Sequence, residues 1–420
     1  MFKFAHFSDI HLGAFANDIL KQLSLTTFSN AIDLCIERKV NFIIISGDLF
    51  DSNVPDMSIV KEAVRKINEA RCHGIQFYLV YGSHDYSITQ TSIIDILEQT
   101  ELFHKVSKGY IENDELVLSP IIDPYTGVTI VGLNGRKIGL EKSFYELLNR
   151  TKLEKINGFK IFVFHGIFSE FKSDISYEDF SIPISLVPKN FNYYAGGHQH
   201  EKSSGNLHGY SNVTYPGTLF GSTNKDIERN AAGQERGFFL VTFSEKIYNI
   251  EFVKVESCIY KLKEYNAEDK NPIIVNEELK TISLELEVKN KIVVIKVKGQ
   301  LSAGKISDIK FLDFKRNLEE RGALYVWLNY NLLSSKELDY KINLNNESPQ
   351  EIERQLFLEY ISIIEVTKKN LLSNDGVNTA MELLHSLRCA KHHNEQERTY
   401  KSKIINNAVD ILKLNEELKE

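Results

Sequence analysis

The sequence predicts an α/β protein with two sheets, followed by a small α+β domain and a helical C-terminal segment. Strand-like and helix-like patterns alternate over the first third of the chain, which is typical of a parallel sheet with right-handed crossovers. A second group of strand-like runs follows, with few helices between its members. The last segment contains apolar residues at helical spacing and no strand partner.

The elements of the first sheet follow from the spacing of apolar residues. Phe4 to Ser8, Asn41 to Ser46 and Gln76 to Tyr81 are short runs that predict strands. Between them, apolar residues recur at helical spacing from Thr26 to Arg38 and from Met57 to Arg71. This order predicts parallel strands joined by helices.

Four later runs predict a second sheet that is more antiparallel, because polar loops rather than helices join them. The runs are KIFVFHG, NYYAGGHQH, YSNVTYPGT and RGFFLVTF, all between Lys160 and Phe243. The sequence from Glu251 to Lys270 is charged and lacks glycine turns. We therefore predict one two-sheet domain over residues 1–250.

Two further regions are predicted beyond this boundary. Residues 255–335 contain KIVVIKVKG, the helical SDIKFLDFKRNLEER and ALYVWLNYN, a βαβ-like unit sufficient for a small domain. Residues 346–420 predict helices, the first capped by Ser348 with Pro349 at its first position. Their apolar stripe, which includes Ile352, Leu356, Tyr360 and Ile363, must be covered by this chain's own core or by another protein.

The net charge, the apolar stretches and the cysteines of the sequence exclude some classes of protein. A formal net charge of −7 argues against wrapping nucleic acid through overall basicity, although a local basic groove is compatible with it. The amino terminus does not resemble a signal peptide, and no stretch is long enough to span a bilayer. The 4 cysteines are far apart, which indicates small core residues rather than disulfides or a zinc knuckle. We expect a soluble, cytoplasmic protein.

Acidic and histidine residues follow five of the predicted strands. They are Asp9 and His11, then Asp48, then Ser83, His84 and Asp85, then His165, and finally His198 and His200. Because the carboxyl ends of parallel strands open into one crevice, segments distant in sequence can meet there. A single motif of this kind often only caps a turn, whereas all five in this order predict a shared site.

The residue types at this site indicate metal binding. Carboxylates and neutral imidazoles together are ligands for divalent ions of intermediate hardness. One carboxylate can bridge two ions about 3.5 to 4 Å apart, the arrangement that enzymes use on phosphate esters. His198 and His200 flank one residue, so they point to the same side of an extended segment. The sequence therefore predicts a two-metal site.

The ordered motifs DIH, GDLFD, GSHD, a single histidine and GHQH resemble those of the calcineurin-like metallophosphoesterases. Within that superfamily, the spacing and the stretches YPGT (Tyr215 to Thr218) and ERGF (Glu235 to Phe238) are similar to the meiotic-recombination-eleven family of double-strand-break nucleases, called SbcD-type in bacteria. The resemblance covers residues 1–245 by motif and the remainder only by architecture. It implies a two-sheet metallophosphoesterase sandwich flanked by helices, which hydrolyses phosphodiesters in DNA.

The resemblance also implies a role for each motif residue. Asp9, His11 and His200 would hold one ion, His165 and His198 would hold the other, and Asp48 would bridge them. His84 would stabilise charge on the scissile phosphate or protonate the leaving sugar oxygen, and Asp85 would orient it. Two Mn²⁺ ions are implied, with Mg²⁺ as an alternative.

Ser83 departs from the family pattern, which usually has asparagine at this position. The serine hydroxyl can coordinate the second ion weakly, act through a water, or do neither. We expect an active enzyme that holds this ion loosely. Asp51, where the family varies between histidine and aspartate, is expected either to orient loops or to serve only as a turn residue.

A DNA substrate requires cations that neutralise its phosphates. The candidates are Arg136, Lys137, Lys172 and Lys225, each of which could equally be a solvated surface residue. The resemblance further implies a capping, DNA-binding role for residues 255–335. It also implies that an SMC-like coiled-coil ATPase binds the C-terminal stripes, at residues 351–372 and 380–387. A homodimer is implied as well, and residues 92–97 are apolar enough for its interface but equally suitable as core.

Two other functions remain open. A phosphatase or cyclic-nucleotide phosphodiesterase could use the same metals, but the extra domains would then lack an evident task. Alternatively, Ser83 could have weakened catalysis, which would leave a structural subunit that bridges DNA and the ATPase.

Overall fold

The computed structural model describes residues 1–85, 91–136, 141–171, 181–336, 349–361, 374–390 and 397–412. Lys137 and Lys172, two of the predicted DNA contacts, lie outside these ranges. The chain divides into two compact units. The first contains Met1–Lys263, Val288–Val294 and Glu319–Trp327, and the second contains Glu264–Glu287, Ile295–Leu318 and Leu328–Glu420.

Strands and helices alternate along most of the chain. The strands are β1 (Phe2–Phe7), β2 (Phe42–Ser46), β3 (Gln76–Val80), β4 (His104–Lys105), β5 (Gly109–Glu112), β6 (Glu115–Leu118), β7 (Ile121–Ile122), β8 (Thr129–Leu133), β9 (Lys160–His165), β10 (Tyr193–Gly197), β11 (Ser203–Leu207), β12 (Tyr210–Tyr215), β13 (Gly237–Phe243), β14 (Ile247–Lys254), β15 (Ile259–Asn266), β16 (Lys291–Leu301) and β17 (Tyr325–Ser335). The helices are α1 (Asp18–Glu37), α2 (Met57–Cys72), α3 (Ile93–Gln99), α4 (Lys142–Leu147), α5 (Arg150–Glu154), α6 (Asn224–Ala231), α7 (Pro272–Glu285), α8 (Phe311–Glu320), α9 (Pro349–Ile361), α10 (Asn374–Arg388) and α11 (Glu397–Ile411).

The first sheet has the strand order β14-β13-β1-β2-β3-β4. Strands β1 to β3 are parallel and are joined by α1 and α2, as the sequence predicts. Strand β4, which was not predicted, continues the parallel order after α3. Strand β13, which contains the run RGFFLVTF, was predicted in the second sheet, and this prediction is wrong. It pairs antiparallel with β1, with Phe4 opposite Val241. An apolar strand buried on both faces fits either sheet, so its sequence does not choose the partner.

The second sheet has the strand order β11-β12-β10-β9-β8-β7. The expectation that it is more antiparallel than the first is wrong. Its four central strands are parallel, and antiparallel pairs occur only at the two edges. Between β8 and β9 the crossover contains the short helices α4 and α5. Helices this short leave almost no periodic pattern, which explains why the sequence did not indicate a parallel sheet.

The two sheets pack face to face around a shared core, which confirms the predicted sandwich. Phe4 and Phe42 of the first sheet and Ile161 and Tyr193 of the second belong to one buried apolar cluster. The Phe4 ring stacks on Phe42 at 5.2 Å and meets Tyr193 edge-on at 5.1 Å. This packing fixes the position of each sheet relative to the other, and with it the strand ends.

A three-stranded sheet in the order β15-β16-β17 forms the predicted α+β region. Helix α8 lies between β16 and β17 in the chain, as the sequence predicts. Helix α7 was not predicted. It begins at Pro272 after Asn271, whose side chain accepts a hydrogen bond from the backbone N–H of Ile274. The division into three domains at the stated boundaries stays a prediction.

Helices α9, α10 and α11 form the C-terminal segment. Arg388 pairs with Glu353 at 2.6 Å between α10 and α9, and Tyr400 of α11 donates a hydrogen bond to the carbonyl of Cys389. Of the predicted cap and stripe, Ser348 and Ile363 lie outside the described residues. Within the described ranges, no helix combines the length and apolar character needed to cross a membrane.

Candidate metal centre

The carboxyl ends of strands from both sheets meet at one edge of the sandwich. The backbone N–H of His11, after β1, donates to the carbonyl of Asp48, after β2. The backbone N–H of His198, after β10, donates to both carboxylate oxygens of Asp9 at 3.0 Å. Segments almost two hundred residues apart are therefore held in direct contact, as the strand-end pattern predicts.

The backbone at this edge adopts an unusual conformation. Asp9, His11, Asp48 and His198 have φ angles of 49°, 48°, 51° and 81°. This left-handed region is uncommon for residues with a Cβ atom, although Asp and His enter it more readily than most. Such conformations cluster at functional sites, where the surrounding structure stabilises them.

Three groups of side chains offer metal-ligand atoms at close range. Asp9, His11 and His200 form the first group, Asp48, His165 and His198 form the second, and a third group of His11, Asp48 and His84 shares a member with each of them. In each group the ligand atoms all lie within 4.8 Å of one another. The first and second groups are the two ligand sets implied by the family resemblance.

Asp48 lies between the two groups. Its Oδ2 atom is 3.2 Å from Nε2 of His165 and 3.7 Å from Nε2 of His11. His198 completes the second group, with its Nδ1 atom 3.2 Å from Nε2 of His165. A carboxylate in this position can contact two ions at once.

Each of three histidines is held through Nδ1. His11 Nδ1 lies 3.0 Å from the Asp51 carboxylate, and His165 Nδ1 donates to the carbonyl of Ser46 at 2.8 Å. Because an acceptor at Nδ1 places the proton there, the lone pair of the neutral ring lies on Nε2. Asp51 was expected to orient loops or to serve only as a turn residue; its carboxylate contacts His11, a role that the sequence did not indicate.

The same arrangement operates for His200, whose Nδ1 lies 3.2 Å from the carboxylate of Asp226. Asp226 is buried and follows the loop after β12. No motif in the sequence singled it out. The outer partners of metal-ligating histidines are commonly carboxylates or carbonyls of this kind.

The electrostatics of the site favour positive charge. Burial alone would lower the pKa of His11 and His165, but Asp51 and Asp48 reverse this and raise these pKa values to about 9 and about 10. The two histidines in turn hold the pKa of the Asp48 carboxyl far below its usual range, despite its burial. A divalent cation supplies the charge that these carboxylates require and competes with protons for the same nitrogens.

The residues at this edge fit a divalent metal. Nε2 of His11 is buried and has no hydrogen-bond partner among the described residues, which is costly unless another ligand reaches it. Glycines also leave room around the side chains of Asp48 and His165. A Cβ atom on Gly82 would lie 2.0 Å from Oδ1 of Asp48, and one on Gly47 would lie 2.3 Å from Nδ1 of His165.

Ser83 lies beside the shared carboxylate. Its hydroxyl is 3.5 Å from Oδ2 of Asp48. The hydroxyl therefore lies at the edge of the second group, where the family resemblance implies an amide. At this distance its contact with Asp48 is at the limit of a hydrogen bond.

His84 and Asp85 do not form the predicted pair in this structure. Nδ1 of His84 donates instead to the backbone carbonyl of Asp51 at 2.8 Å. The Asp85 carboxylate accepts from the backbone N–H groups of Gly82, Leu49 and Phe50. Burial, followed by the charge of Asp48, raises the pKa of Asp85 to about 7. Asp85 thus ties the β2 and β3 loops together, and its predicted role as the partner of His84 has no contact to support it.

The loop after β8 also borders the site. Asn134 accepts a hydrogen bond from the backbone N–H of Tyr81 at 2.9 Å, and a Cβ atom on Gly135 would lie 2.5 Å from the His165 ring. Arg136, a predicted DNA contact, stacks on Phe144 at 4.2 Å. Lys225, another predicted contact, is exposed on α6.

Comparison with known proteins gives concordant results. Residues 2–202 match the family model of the calcineurin-like phosphoesterases. The chain is 31% identical over 258 residues to the DNA double-strand break repair protein Mre11 of Sulfurisphaera tokodaii, an alignment covering 60% of this chain and 62% of that protein. It is 26% identical over 399 residues to the protein of the same name from Methanococcus maripaludis, covering 89% of this chain and 96% of that protein.

A relative with a less specific name is also similar. The uncharacterized metallophosphoesterase YhaO of Bacillus subtilis is 22% identical over 367 residues, with 82% of this chain and 84% of that protein covered. Among solved structures, a dimetal phosphatase from Danio rerio covers 60% of this chain and 97% of its own, at a TM-score of 0.37 and 10% identity. The matching domain and relatives confirm the resemblance carried by the motifs: residues 2–202 are similar to the calcineurin-like phosphoesterases, and with the clustered Asp and His side chains they indicate a metal-dependent phosphoesterase.

Proposed function

We propose that this chain is the manganese-dependent nuclease subunit of a DNA double-strand-break repair complex. Its reactions would be exonuclease cleavage of duplex ends and endonuclease cleavage of single strands. The observation that carries the proposal is the convergence of Asp9, His11 and His200 beside Asp48, His165 and His198, with Asp48 placed between the two groups. The printed names of the Mre11 relatives support DNA as the substrate.

Each group of ligands would hold one divalent ion. Bound there, the ions would lower the pKa of a water molecule and neutralise charge on the phosphate. Asp51, Ser46 and Asp226 orient the three histidines so that Nε2 is available. The chain's own residues therefore prepare the geometry before any substrate arrives.

His84 would act on the leaving group. Its side chain is 46% exposed, and its backbone N–H is anchored on Oδ1 of Asp48 at 2.8 Å. Because Nδ1 is bonded to the carbonyl of Asp51, Nε2 is the atom that can exchange a proton with a substrate. In the protonated ring, Nε2–H can donate to the departing sugar oxygen.

The substrate class can be tested directly with purified protein and Mn²⁺. Labelled duplex DNA with one blocked end, single-stranded DNA and a chromogenic phosphodiester should be compared at equal enzyme concentration. The proposal requires DNA to be cleaved with the higher kcat/KM. Efficient hydrolysis of the small ester with no cleavage of DNA would favour the phosphatase or cyclic-nucleotide alternative.

Ser83→Asn should lower the Mn²⁺ concentration that gives half-maximal hydrolysis. An amide oxygen is a better ligand than a distant hydroxyl, so we expect a decrease of about tenfold, within the range seen when a ligand or its support is altered. The measurement is a Mn²⁺ titration of DNA cleavage. Ser52→Asn is the matched control, because the Ser52 hydroxyl accepts a hydrogen bond from the backbone N–H of Val54 within its own turn.

An unchanged Mn²⁺ requirement in Ser83→Asn would show that position 83 does not influence the second ion. A Ser83→Asn protein that alone is active, beside an inactive parent, would contradict our expectation that the native chain is catalytic. It would support the structural alternative instead.

The C-terminal helices are proposed to bind an SMC-like coiled-coil ATPase. Leu356, Leu358 and Leu387 remain exposed on α9 and α10 although these helices contact each other. Exposed apolar side chains are suited to contact with a second helix or coiled coil. Leu356 and Leu358, two residues apart, lie on different faces of α9. The Methanococcus relative aligns with 89% of this chain, so that alignment extends beyond the phosphoesterase domain.

Replacing Leu356, Leu358 and Leu387 together by glutamate should weaken binding of the ATPase by more than tenfold, because three charges would be buried at the interface. Deletion of residues 346–420 should abolish binding. Both proteins should retain Mn²⁺-dependent cleavage. Ile122→Glu, an exposed apolar residue of the first unit, is the control. Equal ATPase affinity in all proteins would refute this role.

A homodimer is the remaining part of the proposal. In the predicted interface, helix α3, the side chains of Ile93, Ile94 and Leu97 face the core, and Ile96 is exposed. The surface of this fully described helix is therefore less apolar than its sequence suggests. Sedimentation of the wild type and of Ile96→Asp would test the interface.

A further inference from the structure

One buried carboxylate near the candidate metal centre gathers an unusual number of hydrogen-bond donors. Oδ2 of Asp226 accepts from Nδ1 of His200 at 3.2 Å, from the backbone N–H of Ser222 and Thr223, and from the Thr223 hydroxyl at 2.9 Å. Its Oδ1 is 3.4 Å from Nη2 of Arg236. A buried carboxylate with this many partners is fixed in one orientation.

Arg236 contacts the backbone of the same histidine, His200. Its Nη1 donates to the backbone carbonyl of His200 at 2.6 Å, and its Nε donates to Asn230 at 2.5 Å. The backbone N–H of Thr218 donates to the same carbonyl. Thr218 and Arg236 belong to the YPGT and ERGF stretches, to which the family resemblance assigns no role.

Helix α6, which carries Asp226, contacts residues of β15, β16 and β17 that belong to the first unit. Nε1 of Trp327 donates to the Glu228 carboxylate at 2.8 Å, and Asn230 donates to the hydroxyl of Tyr260 at 3.1 Å. Ile227 is buried in an apolar cluster with Ile292 and Val294. A continuous set of contacts therefore runs from these residues of β15, β16 and β17 through α6 to His200.

We propose that Asp226 and Arg236 are positioning residues for His200, and that α6 couples this metal ligand to the first-unit residues Tyr260, Ile292, Val294 and Trp327. This inference rests on the proposed metal centre. The carboxylate keeps the proton of His200 on Nδ1 and turns Nε2 toward Asp9 and His11. The affinity of the ion held by that group then depends on contacts that α6 makes far from the ion.

A simpler role must be separated from this one. Asp226 and Thr223 also form a reciprocal cap at the start of α6, in which each side chain accepts from the backbone of the other. Loss of Asp226 could therefore act only by loosening the helix. Thr223→Ala removes the half of this cap that Thr223 accepts and one of the donors to Oδ2 of Asp226, but it leaves the carboxylate, its other donors and its contact with His200. It is therefore the comparison variant for Asp226→Ala.

The first measurement is Mn²⁺ binding, followed by the electron paramagnetic resonance signal of free Mn²⁺ during titration. Asp226→Ala should weaken one of two sites by about 10- to 100-fold, the range for outer partners of metal ligands. The other site and both sites of Thr223→Ala should stay within about threefold of the wild type. Equal weakening in Asp226→Ala and Thr223→Ala, or none in Asp226→Ala, would overturn the positioning role.

The second measurement does not depend on metal. In the metal-free protein, the ¹H–¹⁵N correlation spectrum of the histidine rings should show His200 as a single Nδ1–H tautomer. Asp226→Ala should give a mixture of tautomers, and Asp226→Glu should restore the single form at least in part. An unchanged His200 spectrum in Asp226→Ala contradicts the inference even if metal binding has changed.

A separate variant tests the coupling through α6. Trp327→Phe keeps the aromatic ring but removes the N–H that reaches Glu228, so Mn²⁺ affinity at the His200 site should fall by twofold or more, at an unchanged melting temperature. An unchanged affinity would restrict the inference to Asp226 and Arg236. Failure of the wild type to bind Mn²⁺, with the His200 tautomer as expected, would refute the proposed metal centre and leave the positioning contacts in place.

Discussion

Asp48→Asn should reduce Mn²⁺-dependent DNA cleavage by about 10³-fold or more, because one carboxylate serves both ligand groups of a two-metal site. Asparagine has nearly the same shape, but it loses the negative charge and offers one oxygen in place of two. His11 and His165 would then face an amide at 3.7 and 3.2 Å. The change should appear both in kcat/KM and in the number of Mn²⁺ ions bound.

Asp114→Asn is a suitable control for this experiment. Asp114 is exposed in the turn between β5 and β6 and also has a left-handed backbone, with φ of 62°. The same chemical change in the same conformation should leave cleavage and metal binding unaltered. Circular dichroism should confirm that Asp48→Asn is folded. Wild-type cleavage by a folded Asp48→Asn protein would remove the basis of the two-metal proposal.

His84→Gln should lower kcat by about 10² to 10⁴-fold, the usual contribution of a positioned acid or base. A ligand atom of His84 lies within 4.8 Å of ligand atoms of His11 and Asp48, so a ligand role would lower Mn²⁺ affinity as well. The proposed role on the leaving group instead keeps Mn²⁺ affinity within about threefold of the wild type. The backbone N–H that binds Asp48 is unaffected by the substitution. This division between turnover and metal binding separates a catalytic role from a ligand role.

The exposed His208→Gln provides the control for surface histidine loss. A fall in metal affinity equal to the fall in kcat would assign His84 to the ligands instead. In cells, DNA repair that survives His84→Gln but fails on deletion of residues 346–420 would favour the structural alternative. Repair that fails with both would support the nuclease proposal.

Much of this site follows from one property of the sequence. Asp9, Asp48, His84, His165 and His198 each stand directly after an apolar run, and the ends of parallel strands necessarily share an edge. Their convergence could therefore be predicted without coordinates, and the structure brings the segments together. Their roles as ligands and acid remain predictions.

Other features could not be predicted because they depend on pairings between distant residues. Nothing local to RGFFLVTF indicates that it pairs with β1 rather than with the second sheet. Asp226 is separated from His200 by 26 residues, and only the path of the chain after β12 brings them together. Asp85 was assigned to its neighbour in sequence, whereas the loop geometry turns its carboxylate toward backbone groups of the preceding strand end.

Each ligand group contains residues from both sheets. In the first group, Asp9 and His11 follow β1 of the first sheet, and His200 follows β10 of the second. In the second group, Asp48 follows β2 of the first sheet, and His165 and His198 belong to the second sheet. The geometry of the site therefore depends on how the two sheets pack against each other. A substitution of Phe4 or Tyr193, remote from the chemistry, would displace half of each cage relative to its other half. Substitutions at such aromatic positions should lower turnover, so selection for activity should also act on residues of the hydrophobic core.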